Sequence, residues 1–218
     1  MAVGNGPKIV TTGLILNLDA SDRNSYVSGS TIWYDLSGNN NNATINTTYH
    51  VYTDGYYFNI STDGTAAQAM TLSNFRSNLI TAHTLECFIY PINGQPSMLS
   101  SQCGANDCWS YGESGNYYDR TGATSIGTGY STNVWQQLCI TFNGASTATS
   151  YKNGQQVSTS SNWSMASLSQ GTAYIAARIW SAIASQYRLG TMRFYNRALS
   201  VQEISENYNA VKTRFGLR

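Results

Sequence analysis

The chain has 218 residues, enough for one large β domain to bury a core without disulfide or metal staples. Only 11% of residues are charged and the net charge is +1, with no basic run or acidic tail, so the electrostatic footprint of a nucleic-acid binder is missing and no nucleic-acid partner is expected. The 16 tyrosines and 19 glycines, amid many Ser, Thr and Asn, favour strands, tight turns and contact with other surfaces through neutral polar and aromatic groups.

Residues Met1 to Lys8 lack the charged start and apolar stretch of a secretory signal, and no later segment approaches the ~18 to 20 apolar residues of a membrane span. The expectation is a protein that is made in a cytoplasm and not secreted, with no membrane partner. The first twelve residues carry no core-forming pattern and read as an arm that lies on a neighbouring subunit through Pro7, Lys8, Ile9 and Val10; residues 13–218 read as one domain. A buried strand is expected over 14–18, a polar loop over 19–31, a strand starting at Ile32-Trp33, and a turn over 39–42. Strand-like runs follow at 43–45, 56–60, 69–72, 84–90, 97–101, 108–111, 117–119, 134–142, 149–152, 173–177 and 188–195. Short strands separated by Gly, Asn and Ser turns predict an all-β fold, a two-sheet antiparallel β-sandwich.

One helix is expected, at the C-terminus. Ser200 can accept from the N–H three residues on, and Glu203 can reach back to the N–H of Ser200, the reciprocal pairing of a capping box. Val201, Ile204, Tyr208 and Val211 fall on one face, which should pack over an end or edge of a sheet.

Cys87 and Cys139 lie in apolar runs and read as buried thiols, whereas Cys103 and Cys108 bracket four residues that either close a small disulfide or form a plain turn. His50 and His83 stand alone, so no metal site built on sulfur or imidazole is expected. The only glutamates are Glu86, Glu113, Glu203 and Glu206. A glycosidase needs two carboxylates flanking the scissile bond. No strand carries such a pair, and Glu86 should face solvent or pair with an Arg. Gly-x-Ser-x-Gly elbows and phosphate loops are also missing, so a non-enzyme is expected.

The candidate binding residues lie in a loop-rich stretch over 107–119: Trp109, Tyr111, Asn116, Tyr117, Tyr118 and Asp119. Aromatics interleaved with Gly and Asn suit a sugar platform and equally a protein interface. Trp33 and Trp135 read as packing residues, Asp35 and Ser37 as turn residues, and Asn153-Gly154 as a tight hairpin turn. Asp19 and Asp22 read as loop-capping residues.

The segments Gly13-Leu14-Ile15-Leu16-Asn17-Leu18-Asp19-Ala20, Trp33-Tyr34-Asp35-Leu36-Ser37-Gly38, Leu85-Glu86-Cys87-Phe88-Ile89-Tyr90-Pro91, Val134 to Gly144, Tyr151 to Val157 and the C-terminal strand and helix occur in an order that resembles the concanavalin A-like, laminin-G-type jelly roll. With Gly6 to Gly13 ahead of the first strand, the chain is similar to versions carried by virion proteins of tailed bacteriophages. That resemblance implies a jelly roll and, in many relatives, calcium at the rim of the sandwich held by two carboxylates. Here Asn59 and Thr191 stand at those places, so no cofactor is expected, with calcium as the alternative. The resemblance also implies a virion structural role, as a capsid decoration or cement protein or a neck or tail component. Its partners would be other virion proteins, capsid or tail subunits, or further copies of the chain. The alternative is a carbohydrate-binding adhesion module that recognises host glycans.

Overall fold

A computed structural model describes residues 8–63, 65–73, 75, 81–94, 96–103, 106–113, 116–118, 124–163, 172–177 and 184–218, with backbone alone for 66, 94, 101–103, 106–113, 118 and 185. The strands are β1 (Leu14–Asp19), β2 (Ile32–Trp33), β3 (Ala43–Thr44), β4 (His50–Thr53), β5 (Tyr57–Thr62), β6 (Met70–Leu72), β7 (His83–Gly94) and β8 (Leu99–Cys103). They continue with β9 (Asn106–Glu113), β10 (Asn116–Tyr118), β11 (Ser125–Gly127), β12 (Gln136–Phe142), β13 (Ala148–Lys152), β14 (Gln155–Ser160), β15 (Ala173–Ile175) and β16 (Ser185–Tyr195). Helix α1 (Val201–Val211) and a 3-10 turn over Lys212–Phe215 close the chain.

The strands form two antiparallel sheets. Sheet A runs β14-β13-β12-β7-β16-β5-β4, with β1 also on β16, and sheet B runs β11-β10-β9-β8-β15-β6-β3-β2. The long strand β16 organises sheet A. On one side it pairs throughout with β7; on the other its first half pairs with β5 and its second half with β1. The register shifts between Leu189 and Thr191, where the N–H of Ala20 donates to the Gly190 carbonyl.

Between the sheets lies the main core. Sheet A contributes Leu16, Leu18, Phe58, Ile60, Leu85, Cys87, Ile89, Leu138, Ile140, Leu189, Met192 and Phe194; sheet B contributes Trp33, Met70, Leu72, Leu99, Tyr117, Ile126 and Ile175. These residues alternate along their strands, as a half-buried sheet requires. The exceptions are β12, buried at all seven positions, and the stretches 83–89 of β7 and 189–195 of β16, where the C-terminal segment with α1 and the 3-10 turn covers the other face of the sheet.

The capping box of α1 forms as the sequence predicts: the Glu203 N–H donates to Ser200 Oγ and the Ser200 N–H donates to Glu203 Oε2. Its buried face differs from the expectation. Val201 is exposed, while the polar Asn207 is fully buried beside Ile204 and Val211. The Asn153-Gly154 turn closes the β13–β14 hairpin with both residues at positive φ, 51° and 77°. Gln137 ties that hairpin to the helix, accepting from the Gly154 N–H and donating to the Ile204 carbonyl.

Three further expectations match. Trp33 is fully buried and Trp135 nearly so. Cys87 and Cys139 are free, buried thiols whose pKa values burial drives well above the ordinary range. Asp35 accepts from the N–H groups of Asn17, Ser37 and Asn41, and Asp19 and Asp22 accept from the N–H groups of Ser21 and Asn24. The side chains of Cys103 and Cys108 lie outside the described residues. No helix among the described residues is long and apolar enough to cross a membrane.

At the described end of the arm expected over the first twelve residues, the contacts are with the chain's own sandwich. Ile9 packs against the cluster of Tyr57, Phe88, Trp135, Val211 and Phe215, and Val10 against the cluster of Cys139, Tyr151, Tyr195, Leu199 and Ile204. The Val10 N–H donates to Asn207 Oδ1, its carbonyl accepts from the Tyr195 hydroxyl, and Arg197 Nε donates to the Thr12 carbonyl. These residues complete their own sandwich because β16 and α1 leave apolar surface and an unpaired amide for them to fill. Lys8 is exposed, and Pro7 lies outside the described residues.

Candidate functional site

Strand pairing determines where the sequence-predicted binding residues stand. The stretch over 107–119 is mostly ladder rather than rim loop: β9 and β10 are central strands of sheet B. Tyr111 shares a register row with Leu99, Tyr117 and Ile126, and those three are core residues. Tyr117 is fully buried, so its ring is core packing and not a sugar platform. Trp109 stands in register with Ser101, which pairs with the buried Ala173. Asn116 is half-buried opposite Gly127. The side chains of Trp109, Tyr111 and Tyr118, and all of Asp119, lie outside the described residues.

The outer face of sheet A divides into a covered half and an open half. Under α1 the covered half holds a closed polar network. Arg193 Nη1 donates to Glu86 Oε1 at 2.8 Å, with the two side chains 2% and 0% exposed. Arg193 Nε donates to Asn17 Oδ1, and Asn207 Nδ2 donates to Glu86 Oε2 at 2.7 Å and reaches Tyr195 Oη at 2.9 Å. Glu86 therefore pairs with an arginine, one of its two expected fates, and has no lone pair directed to solvent. Burial, followed by the Glu86 charge, pushes the Tyr195 hydroxyl far above its ordinary pKa. Asp19 anchors the 3-10 turn by taking both of its short hydrogen bonds from Arg214 Nη1. Burial alone would raise the Asp19 carboxyl, but the guanidinium of Arg214 holds it below its ordinary range.

The covered half ends where Phe215 descends onto Gly190. A Cβ at Gly190 would overlap the Phe215 ring, so the close approach requires glycine. Phe215 continues into a ridge of rings, stacking on Phe88 at 5.2 Å and meeting Trp135 at 4.4 Å; Trp135 in turn touches Tyr57 and Tyr90 at 5.6 and 5.8 Å. Tyr56, half-buried, packs across Tyr57, Trp135 and Phe215.

Beyond this ridge the sheet is open. One register row runs Val51, Asn59, Arg188, Tyr90 across β4, β5, β16 and β7. The next runs Ser61, Gln186, Asn93. Val51, Ser61, Gln186 and Asn93 are exposed; Asn59, Arg188 and Tyr90 are half-buried. The amides cross-brace the surface: Asn93 Nδ2 donates to Gln186 Oε1 at 2.8 Å and Asn59 Nδ2 to Thr53 Oγ1 at 2.7 Å. Arg188 lies between two rings, 5.1 Å from the centroid of Tyr57 and 4.7 Å from that of Tyr90. Burial and a hydrogen bond to Asp54 push the Tyr57 hydroxyl up to about 12, against the opposing charge of Arg188. Sequence reading did not assign this patch. The signal available was the alternation of Gln186 and Arg188 against the core residues Tyr187 and Leu189, but only the register brings in Asn59, Tyr90 and Asn93.

Neither residue standing at the relatives' calcium places offers a carboxylate. Asn59 belongs to the open patch, and Thr191 is fully buried under the helix. Among the described residues, no three His, Cys, Asp or Glu side chains are grouped to hold a metal.

Comparison with known proteins adds the family. Solved structures with this fold include the Trypanosoma rangeli sialidase in complex with sialic acid, at TM-score 0.65 and 14% identity, with 93% of this chain and 33% of that chain covered. They also include the binding domain of Paraclostridial Mosquitocidal Protein 1, at 0.64 and 18%, with 90% and 52% covered. The binding domain of Botulinum Neurotoxin DC in complex with SialylT matches at 0.64 and 16%, with 93% and 52% covered. The chain thus spans about a third of the sialidase and about half of each toxin fragment, and at these identities the likeness is one of fold. No curated protein matches the sequence. The family model Laminin_G_3 matches residues 61–205, from the end of β5 into α1, and the chain belongs to the concanavalin A-like lectin/glucanases superfamily.

Proposed function

We propose that this chain is a non-catalytic carbohydrate-binding domain whose saccharide lies on the open half of the outer face of sheet A. The observation that carries this reading is the chemistry of that patch. Asn59, Asn93, Gln186 and Ser61 present amides and a hydroxyl, groups that both donate and accept as sugar hydroxyls do. Tyr90 and Tyr56, both half-buried and backed by the buried Trp135, border them with aromatic surface for the apolar face of a sugar ring. The superfamily is one of lectins as well as glucanases, and the fold is shared with a sialidase in complex with sialic acid and a toxin binding domain in complex with SialylT.

A binding role without hydrolysis fits the carboxylates. Glu86 is locked between Arg193 and Asn207 beneath the helix, Asp54 accepts from the Tyr57 hydroxyl, and Asp63 caps the N–H of Thr65. The virion-assembly reading, in which an N-terminal arm grips neighbouring subunits, has less to draw on, because Ile9 and Val10 are held within the chain.

A glycan-array screen followed by titration tests the proposal. The full chain should bind at least one saccharide class selectively. Tyr90→Ala, and independently the double variant Asn93→Ala/Gln186→Ala, should each weaken binding about tenfold, equivalent to about 1.4 kcal/mol. Asn93 and Gln186 are exposed, so the double variant should melt at an unchanged temperature. A folded protein that binds nothing on the array, or a double variant that binds as tightly as the parent, contradicts the proposal.

A further inference from the structure

Among the described arginines, Arg188 alone is half-buried without an acceptor. Arg193 pairs with Glu86, Arg197 with Glu203 and Arg214 with Asp19, and Lys152 donates to the Gly129 carbonyl and the Ser131 hydroxyl. Arg188 has no hydrogen bond and no ion pair among the described residues, and its Nε is buried with no partner. Native proteins rarely leave such a group uncompensated. The two tyrosine rings offset part of the cost by facing the cation, and they also hold the guanidinium in one orientation. Rings cannot satisfy its N–H groups, which need an oxygen acceptor.

The surroundings say what kind of acceptor would fit. The neighbours of Arg188 along its register row are Asn59 and Tyr90, with Gln186 and Asn93 in the next row, all uncharged. Asp54, the acidic residue held against Tyr57, accepts from that hydroxyl at 2.7 Å and makes no salt bridge with Arg188. A planar guanidinium clamped between rings is suited to a planar, two-oxygen partner. The amides beside it suit the hydroxyls of a sugar ring attached to that group.

We infer that Arg188, held between Tyr57 and Tyr90, is the subsite for the carboxylate of an acidic sugar, and that the domain prefers carboxylated saccharides over neutral ones. This rests on the carbohydrate-binding reading above and specifies its ligand class. Arg188 supplies charge and the two-pronged donor, while Asn59, Asn93 and Gln186 supply contacts that neutral sugars share.

The test compares four probes on the full chain by titration calorimetry: a sialylated trisaccharide, its carboxyl methyl ester, the neutral parent disaccharide, and the same disaccharide carrying a sulfate. A uronic acid oligosaccharide extends the carboxylate arm. The carboxylated sugars should bind at least tenfold tighter than the ester and the neutral parent. Arg188→Gln should abolish the difference between the carboxylated sugar and its methyl ester, and Arg188→Lys, which keeps the charge and loses the fork, should restore part of it. Circular dichroism and the melting temperature check that each variant is folded. Equal binding of acid, ester and neutral sugar would overturn this inference while leaving the carbohydrate-binding reading standing, as would an Arg188→Gln protein that keeps the preference. Tighter binding of the sulfated probe than of the carboxylated ones would overturn the carboxylate assignment. Failure of the folded parent to bind any saccharide would overturn both readings together.

Discussion

Glu86 illustrates how far a single residue can be read. Its expected pairing with an arginine is met, but the identity of the partner follows only from the β7–β16 register, which sets Arg193 directly across from it. Asn207 was not expected in the core at all, since its helical face was read from the apolar positions alone; the buried carboxylate is what draws an amide there. Removing one partner of a buried ion pair strands the other charge. Arg193→Met should therefore cost about 3 to 5 kcal/mol in denaturant unfolding, with much of it recovered in the Glu86→Gln/Arg193→Met double variant. His50 gives a pH prediction. Burial, partly offset by the hydrogen bond to the Gln68 carbonyl, lowers its pKa from 6.5 to about 4. The unfolded chain takes up a proton at this site that the folded chain refuses. The stability it confers is full above about pH 6.5 and is lost as pH falls toward 4, a change on the order of 3 kcal/mol. Denaturant unfolding at a series of pH values should show that slope in the parent and a shallower one in His50→Gln; identical slopes would contradict the assignment.

At the scale of elements, strong local signals were legible and non-local ones were not. The strand over 14–19, the hairpin at Asn153-Gly154 and the capped helix each announce themselves through alternation, turn chemistry or capping. Strands β4 and β11 escaped because His50–Thr53 and Ser125–Gly127 are too short to show an alternation; they are strands because β5 and β10 offer them an edge. The same limitation hid the candidate site. A row of four residues contributed by four strands has no sequence spacing to read, whereas the aromatic run over 107–119 does, and it belongs largely to central strands of sheet B. Gly190 marks the junction between the covered and open halves of sheet A. Gly190→Ala should displace Phe215 and the 3-10 turn, at about 1 to 3 kcal/mol of overpacking, observable as a lowered melting temperature together with faster hydrogen exchange over 212–217. Unchanged exchange there would show that the ring yields without consequence.

For the whole molecule, the division of labour between faces connects fold to function. The inner faces of both sheets make the core, and half of the outer face of sheet A is sealed by α1, the 3-10 turn and residues 9–12, with the sole strand glutamate described in side-chain detail locked inside that seal. The other half presents tyrosines, amides and one unsatisfied guanidinium. The two-sheet, all-β architecture and the single terminal helix were evident from the sequence because they rest on alternation repeated many times over, an averaging that no individual surface patch enjoys. The virion role drew on resemblance, low charge and the reading of the first twelve residues as an arm, and the described part of that segment is tied to its own sandwich.

The most direct test of the central claim is to map saccharide binding by amide chemical-shift perturbation on the isotope-labelled full chain, using an acidic sugar that the array selects. The account predicts shifts concentrated at 51–61, 88–93 and 186–190, moving together with one dissociation constant. Shifts confined to 106–127, with the β4-β5-β16-β7 surface silent, would contradict it and return the site to the segment that the sequence first suggested.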